Sequence, residues 1–181
     1  FSRLHEGIER ATRLVQQLLT IARLDPDATQ KPFLPVSLNK VLQSTHDEMT
    51  VLAEQKAIEI STDLQEVNVN GMEDALKLLV TNLTDNAIRY TPEGGKIRLR
   101  VSRTVDQAVI EISDNGPGIA PQERERIFDR FYRALGTKTQ GHGLGLAIVK
   151  RIVELHQGEI YVDDGLDERG TTMRIELPLA K

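Results

Sequence analysis

Cysteine is absent from the 181 residues. That excludes a disulfide framework, a thiolate nucleophile and a cysteine-ligated zinc, and it fits a reducing compartment. An excess of basic charge is also missing. The net charge is −4 with both signs interspersed, which argues against a nucleic-acid binder driven by a basic surface. No run approaches the ~18 consecutive apolar residues of a membrane-spanning helix, and no signal peptide is visible. There is no internal repeat and no low-complexity tract. The chain opens in mid-pattern at Phe1 without a Met, so a fragment of something longer is expected. Its length suits one ordinary domain plus an appendage, or two small domains.

What is present begins with an amphipathic segment. Over residues 1–24, Leu4, Ile8, Ala11, Val15, Leu18 and Ala22 alternate steps of four and three, a heptad seam. A lone helix cannot bury that stripe. The linker that follows favours a bundle with a second chain over packing on the helix's own domain. That linker, residues 25–35, carries Pro26, Pro32 and Pro35 and little apolar content. A second region, residues 36–181, then mixes both periodicities. A helix capped by Ser37 is expected to run to about Lys56 with Leu38, Val41, Leu42, Met49 and Leu52 on one face. Strands are expected over 57–64, 67–70, 96–103, 108–113, 159–162 and 171–177, several with one apolar and one polar face. Helices are expected over 72–90 and 143–157. Half-wet strands with interspersed helices imply a mostly antiparallel sheet covered on one side, an α+β two-layer sandwich.

The helix expected over 72–90 closes with Asn82-Leu83-Thr84-Asp85-Asn86-Ala87-Ile88-Arg89-Tyr90-Thr91-Pro92. Leu76, Leu79, Val80, Leu83, Ala87 and Tyr90 keep a 3.6-residue rhythm. Asn82, Asn86 and Arg89 share a second, polar face. That face is either simply solvated or suited to a metal-bound polyphosphate, since a carboxamide oxygen can ligate Mg²⁺ and a guanidinium can pair with phosphate. Asp114-Asn115-Gly116-Pro117-Gly118-Ile119 follows directly on a strand. Its glycines let backbone approach a flat ligand, and Asp114 can accept a hydrogen bond from an exocyclic amine such as that of adenine. Asn-Gly alone is a common turn pair, but the aspartate, two glycines and proline exceed what a turn requires. Gly141-His142-Gly143-Leu144-Gly145 precedes a helix, where free N–H groups attract phosphate. Its spacing fails the Rossmann fingerprint and no Walker lysine follows. Between these loops Phe128, Phe131 and Tyr132 interrupt a charged stretch, the pattern of a lid clipped down by aromatics. Gly170-Thr171-Thr172 opens the last strand, either as a turn or with a threonine hydroxyl supporting Asp114.

In this order, Asn82/Asn86, Asp114-x-Gly116-x-Gly118, Phe128-x-x-Phe131, Gly141-x-Gly143-x-Gly145 and Gly170-Thr171 resemble the five boxes of the ATP-binding catalytic domain of sensor histidine kinases. The resemblance covers residues 36–181 and implies the Bergerat ATP-binding fold. It implies ATP and Mg²⁺ as cofactors, with Asn86 as the Mg²⁺ ligand and Asn82 near the phosphates. It further implies Arg89 on phosphate, Tyr90 beside the base, Asp114 reading adenine, and Ile119 in the ATP-binding set. Gly116 and Gly118 would surround the base; Gly143 and Gly145 would hinge the lid, His142 would approach a phosphate, and Gly141 and Leu144 would join the ATP-binding set. Arg133 and Lys138 would bring lid cations to the phosphates, and Thr171 and Thr172 would complete the pocket. Residues 1–24 resemble the second helix of the dimerisation and histidine-phosphotransfer hairpin, worded like that of quorum-sensing sensor kinases. This implies a homodimer, a response-regulator partner, no nucleic acid, and the cytoplasmic portion of an inner-membrane-anchored parent. One departure is large. The acceptor box His-Glu-x-x-x-Pro does not occur, and none of His5, His46, His142 and His156 suits that role, so the fragment is expected to bind ATP without phosphorylating itself. Related readings are an ATPase of the gyrase and chaperone type, which carries Glu at the position of Asn82, and a non-catalytic nucleotide-responsive dimerisation module.

Overall fold

The protein is described by a computed structural model over residues 32–132 and 143–180. The heptad segment 1–24 and linker residues 25–31 lie outside the described residues. Strand β1 (Leu34–Ser37) leads into helix α1 (Leu38–Glu54), followed by β2 (Glu59–Leu64), β3 (Asn68–Gly71) and helix α2 (Glu73–Tyr90). Then come β4 (Lys96–Arg103), β5 (Gln107–Asp114), helix α3 (Gly145–Leu155), β6 (Glu159–Asp164) and β7 (Thr171–Pro178), with short 3₁₀ turns at Pro121–Glu123, Arg126–Phe128 and Leu166–Glu168.

Five strands form one sheet in the order β2-β4-β5-β7-β6. Only the β2–β4 pair is parallel; the other three pairs are antiparallel. The expected α+β two-layer sandwich is the architecture found. One sheet face carries Ile97, Leu99, Val101, Ile110, Ile112, Ile175 and Leu177, all buried against the helices. The helices return Leu38 and Leu42, Leu76, Leu79 and Leu83, and Ile148 and Ile152, each 0–1 % exposed. Burying each such side chain contributes roughly 1.5–3 kcal/mol, so this interface dominates the stability of the domain.

The other sheet face is polar and ordered by register. Asp63, Arg100, Glu111, Arg174 and Tyr161 stand in one row across all five strands. Arg100 Nε lies 3.1 Å from Asp63 Oδ2, off the line of a hydrogen bond, so that contact is an ion pair only. Arg174 pairs with Asp163 at 3.0 Å and its guanidinium lies 4.4 Å over the Tyr161 ring. Exposed pairs contribute little each; their effect is to fix strand register on the wet face.

Several local expectations change. The folded body starts at Leu34, because Leu34 and Pro35 pair with Gly71 and Asn70 in a separate two-stranded ribbon; the proline-rich composition had placed them in the linker. Ser37 occupies the N-cap position of α1 but its hydroxyl donates to Asn39 Oδ1 at 2.6 Å, so it gives no side-chain cap. Leu52 is 41 % exposed, and Ala53 takes the buried place at the end of α1.

His156 was expected in an ordinary helical setting. It lies instead just past the end of α3 and is 5 % exposed. Its Nδ1 sits 2.7 Å from the Ile152 carbonyl and its Nε2 accepts the Met72 N–H at 3.1 Å. These partners require the neutral ring with the proton on Nδ1. The ring thus ties the end of α3 to the start of α2, and Phe33 stacks on it at 4.9 Å. Gly71 admits it, since a Cβ there would stand 2.7 Å from the ring.

Burial holds the His156 pKa below its ordinary value, against a smaller raising effect from the Ile152 carbonyl. A depressed folded pKa means that the unfolded chain takes up the proton first. The stabilisation is therefore full above about pH 6.5 and declines as the pH falls below it. His156→Gln should flatten the loss of unfolding free energy between pH 7.5 and 5.5 in urea titrations. An unchanged slope would remove His156 as its source.

Candidate functional site

Three separate segments meet the polar flank of α2. The helix forms where it does because its apolar stripe docks between α1 and α3. Glu73 and Asp74 favour its first turn, and Pro92 stops it after Thr91. Asn82, Asn86, Arg89 and Tyr90 are all half-buried on the flank that the core leaves open.

At mid-helix, the Asn82 carboxamide faces the start of α3. A Cβ on Gly145 would stand 3.4 Å from Asn82 Oδ1, and Asn82 Nδ2 is buried with no partner. A buried donor left unpaired costs about 1–3 kcal/mol, so this atom is suited to an incoming acceptor. One turn on, Asn86 makes no side-chain hydrogen bond to the described residues. Arg89 is held along the helix by Asp85, Nη2 to Oδ2 at 2.8 Å.

At the end of the helix, the Tyr90 carbonyl forms a wall against the loop after β5. A Cβ on Gly116 would lie 3.1 Å from that oxygen and 2.9 Å from Asp114 Oδ1. Only a glycine leaves the slot between α2 and Asp114 open. Gly118 turns with φ +79° directly against the Gly170 carbonyl, a left-handed conformation that glycine adopts freely.

Asp114 is the chemical centre of this end. It is 8 % exposed. Its Oδ1 accepts the Gly116 N–H at 2.8 Å and the Thr171 N–H at 3.2 Å. Oδ2 keeps its lone pairs for another donor. Burial raises the carboxyl pKa above its ordinary value, and the two N–H donors only partly oppose that. Thr171 and Thr172 are buried, but the support comes from the Thr171 amide, not from a hydroxyl. The Thr172 hydroxyl donates to Ser113 Oγ at 2.8 Å instead. β7 pairs with β5 here, so the strand's own backbone is already in reach.

The lid-side segment is partly described. Phe128 and Tyr132 pack on the core and Ile127 is 7 % exposed. Phe131 does not clip the segment down: it is 66 % exposed, with φ +64°. Its role is through the backbone, its N–H donating to the Gly143 carbonyl at 2.9 Å. Gly143 has φ +65°, and a Cβ there would strike the Tyr132 carbonyl at 2.7 Å. Leu144, 1 % exposed, anchors the start of α3, and Ile119 packs on the core beside the β5 loop. Arg133, Lys138, Gly141 and His142 lie outside the described residues.

Two contributors escaped the sequence reading. Gly165 lies where a Cβ would collide with the Asp114 carbonyl at 2.2 Å; the Asp164-Gly165 turn pair was its only signal. Arg124 pins the loop after Asp114 to β6, donating to the Ile119 and Val162 carbonyls at 3.1 Å and pairing with Asp164. It had read as one of several lid charges. Taken together, the slot offers an acceptor for a flat amine-bearing ring at one end. At the other it offers carboxamides, a guanidinium and helix N–H groups for a polyanion.

Residues 71–181 match the family described as histidine kinase-, DNA gyrase B-, and HSP90-like ATPase. The chain is 44 % identical over 173 residues to the sensor protein kinase PmrB of Pseudomonas aeruginosa, covering 95 % of the chain and 36 % of that protein. It is 42 % identical over 155 residues to the sensor protein QseC of Escherichia coli, covering 84 % of the chain and 34 % of that protein. The chain thus spans about a third of these relatives. Among solved structures, a mycobacterial sensor histidine kinase, MprB, superposes with a TM-score of 0.72 at 35 % identity, covering 81 % of the chain and 97 % of that structure.

Because its folded pKa is raised, Asp114 costs stability above that pKa and ceases to do so once protonated. Asp114→Asn keeps an oxygen for the two backbone donors and removes the buried charge. The variant should melt above the wild type at pH 7, with the gap closing as the pH falls toward 4. A variant that melts lower at pH 7 would show that the carboxylate is not the desolvated group it is taken for.

Proposed function

The chain belongs to the histidine kinase-, DNA gyrase B- and HSP90-like ATPase family, as a histidine kinase ATP-binding catalytic domain, and from that footing we propose that it presents the γ-phosphate of Mg-ATP to a histidine on a dimerisation helix. The observation that carries this reading is the carboxamide at Asn82, packed against the first residue of α3 with a buried, partnerless Nδ2. A carboxamide cannot take a proton from water, so the site is built to hold a polyphosphate and not to activate a water against it.

The residues suit the cofactors. Asp114 Oδ2 is open to the exocyclic N–H of adenine, and Gly116 leaves room for the ring. Asn82 Nδ2 has no acceptor until a phosphate oxygen arrives. Asn86 keeps a free carboxamide oxygen, while no cluster of three or more acidic or imidazole ligands exists among the described residues. That donor set suits Mg²⁺, which takes few protein oxygens and is otherwise held by substrate phosphates and water. Held by Asn86, the ion would supply charge neutralisation at the phosphates. Arg89 exchanges Asp85 for phosphate, and the N–H groups at the start of α3 face the same charge. An imidazole nitrogen of the acceptor then attacks the γ-phosphorus in line; the P–O bond to ADP breaks, and the imidazole loses its proton to solvent. Positioning and charge stabilisation do most of that work.

His46 and His156 do not serve as the acceptor: the first lies beside Asp47 on α1 and the second is buried between two backbone groups. Neither His5 nor His142 stands in a His-Glu-x-x-x-Pro box, and we place the acceptor on a separate hairpin helix, with residues 1–24 as its bundle partner in a homodimer. We place the module on the cytoplasmic side of an inner-membrane sensor that passes its phosphoryl group to a response-regulator aspartate. The likeness to QseC favours a quorum-sensing role for the parent. Among the described residues, no helix is long and apolar enough to cross a membrane.

Joining the upstream hairpin helix with its acceptor histidine should restore labelling from γ-labelled ATP. Asn86→Ala and Asp114→Ala should each lower it by about tenfold or more, the effect of losing one charge-assisted contact. Full labelling in both would refute the site. Rapid phosphate release by the 181-residue chain alone would favour an ATPase, and tight nucleotide binding without transfer to the supplied helix would favour a non-catalytic module.

A further inference from the structure

Lys56 lies in the turn between α1 and β2, more than thirty residues from the helix end it serves. Its ammonium donates to the Ile88 and Thr91 carbonyls at 2.7 Å and to the Arg89 carbonyl at 3.2 Å. These are carbonyls of the end of α2. A helix leaves its last four carbonyls without intrahelical donors, and a cation there meets the negative end of the helix dipole. The other basic group of the last turn, Arg89, points its guanidinium toward Asp85. Pro92 has no N–H to offer. The Thr91 hydroxyl is buried without a partner. The carbonyl of Lys56 also accepts the Gly94 N–H at 3.1 Å, so the 91–95 turn is gripped from both ends of one residue.

The part that Lys56 holds is the wall of the base-binding slot. The Tyr90 carbonyl and Thr91 Cα stand 3.1 and 3.5 Å from where a Cβ on Gly116 would be, and Gly116 supplies one of the two donors to Asp114. We propose that Lys56 is a positioning residue for nucleotide: it sets the level of the last turn of α2, so that the Tyr90–Thr91 backbone closes on Gly116 while Asn86 and Arg89 stay aligned with the phosphates. This rests on the reading of the slot as an ATP site.

The test uses the 181-residue chain, with calorimetric titration of Mg-ATP and Mg-ADP and thermal melting by circular dichroism. Lys56→Met should weaken both nucleotides by about tenfold or more, to a similar degree, at temperatures where it remains folded. Lys56→Arg, which keeps a cation and several donors, should recover most of the loss. Val101→Ala, a core truncation in β4, lowers melting without touching the slot and should bind as the wild type does. Lys56→Gln, with a neutral donor, replaces Lys56→Met if the latter melts below the assay temperature. Wild-type affinity in the folded Lys56→Met or Lys56→Gln protein would overturn the proposal, as would an equal loss in Val101→Ala. A wild-type chain that binds neither nucleotide would overturn the site itself, and the proposal with it.

Discussion

A carboxylate withdrawn from water at the end of a central strand organises this domain. Asp114 closes β5 in a place that solvent barely reaches, and the chain around it is almost all backbone. Gly165 and Gly170 come so near that a Cβ on either would lie within 2.2 Å of the Asp114 carbonyl. A Cβ on Gly116 would lie 2.9 Å from the side chain. These glycines, spread over two loops, thus share one cause: each marks a point where main chain must close on this residue. A charge so placed is costly unless donors face it. Two backbone donors meet one oxygen and the second oxygen is left, so the apo domain holds a deficit that a ligand N–H removes. Binding energy is available at this position because folding left it unspent.

α2 turns that local deficit into a binding slot. The same helix packs on α1 and α3 through its apolar stripe and exposes its carboxamides on the flank. Its end lies against the β5 loop at Gly116 and its middle against the α3 start at Gly145. A ligand spanning the slot therefore touches three segments held by a single rigid element, which is the condition for precise placement. The stacked His156 and the capping Lys56 fix the two ends of that helix. Neither needs to touch a ligand for its loss to be felt at the slot. The ion-pair row of the wet sheet face stands apart from this arrangement and fixes only strand register.

Much of this was legible because it is local. Alternation placed β4, where Ile97, Leu99 and Val101 face inward, and the 3.6-residue stripe placed α2. The ordered boxes brought Asn82, Asp114, Gly116 and Gly145 toward one slot. What failed was non-local or turned on which atom of a residue acts. β1 was hidden because its prolines read as linker, and only the pairing with β3 reveals it. The support for Asp114 was assigned to a threonine hydroxyl, whereas antiparallel pairing of β5 with β7 already delivers the Thr171 amide. Phe131 was read as a clamp from its type, yet a positive φ turns it outward and leaves its N–H on Gly143. Lys56 could not be found at all: its partners lie 32 to 35 residues away, and nothing in a single lysine announces a helix end elsewhere.

The difference between holding ATP and hydrolysing it then comes down to one functional group. In the wider family a carboxylate at the position of Asn82 serves to accept a proton from water, as the resemblance implies. Here the carboxamide is packed on the α3 start, and the nearest carboxylate along α2, Asp85, is engaged by Arg89 at 2.8 Å. Asp114 sits at the other end of the slot, its Oδ1 held by the Gly116 and Thr171 N–H groups. No carboxylate described near the phosphate end is therefore free to serve as a base. An imidazole acceptor needs none, because the unprotonated ring nitrogen is already a good nucleophile, whereas water is a poor one until a base takes its proton. On the function proposed above, a site without that base would leave the γ-phosphate of bound ATP for a nucleophile that needs no deprotonation, and the acceptor would then be free to reside on a different element.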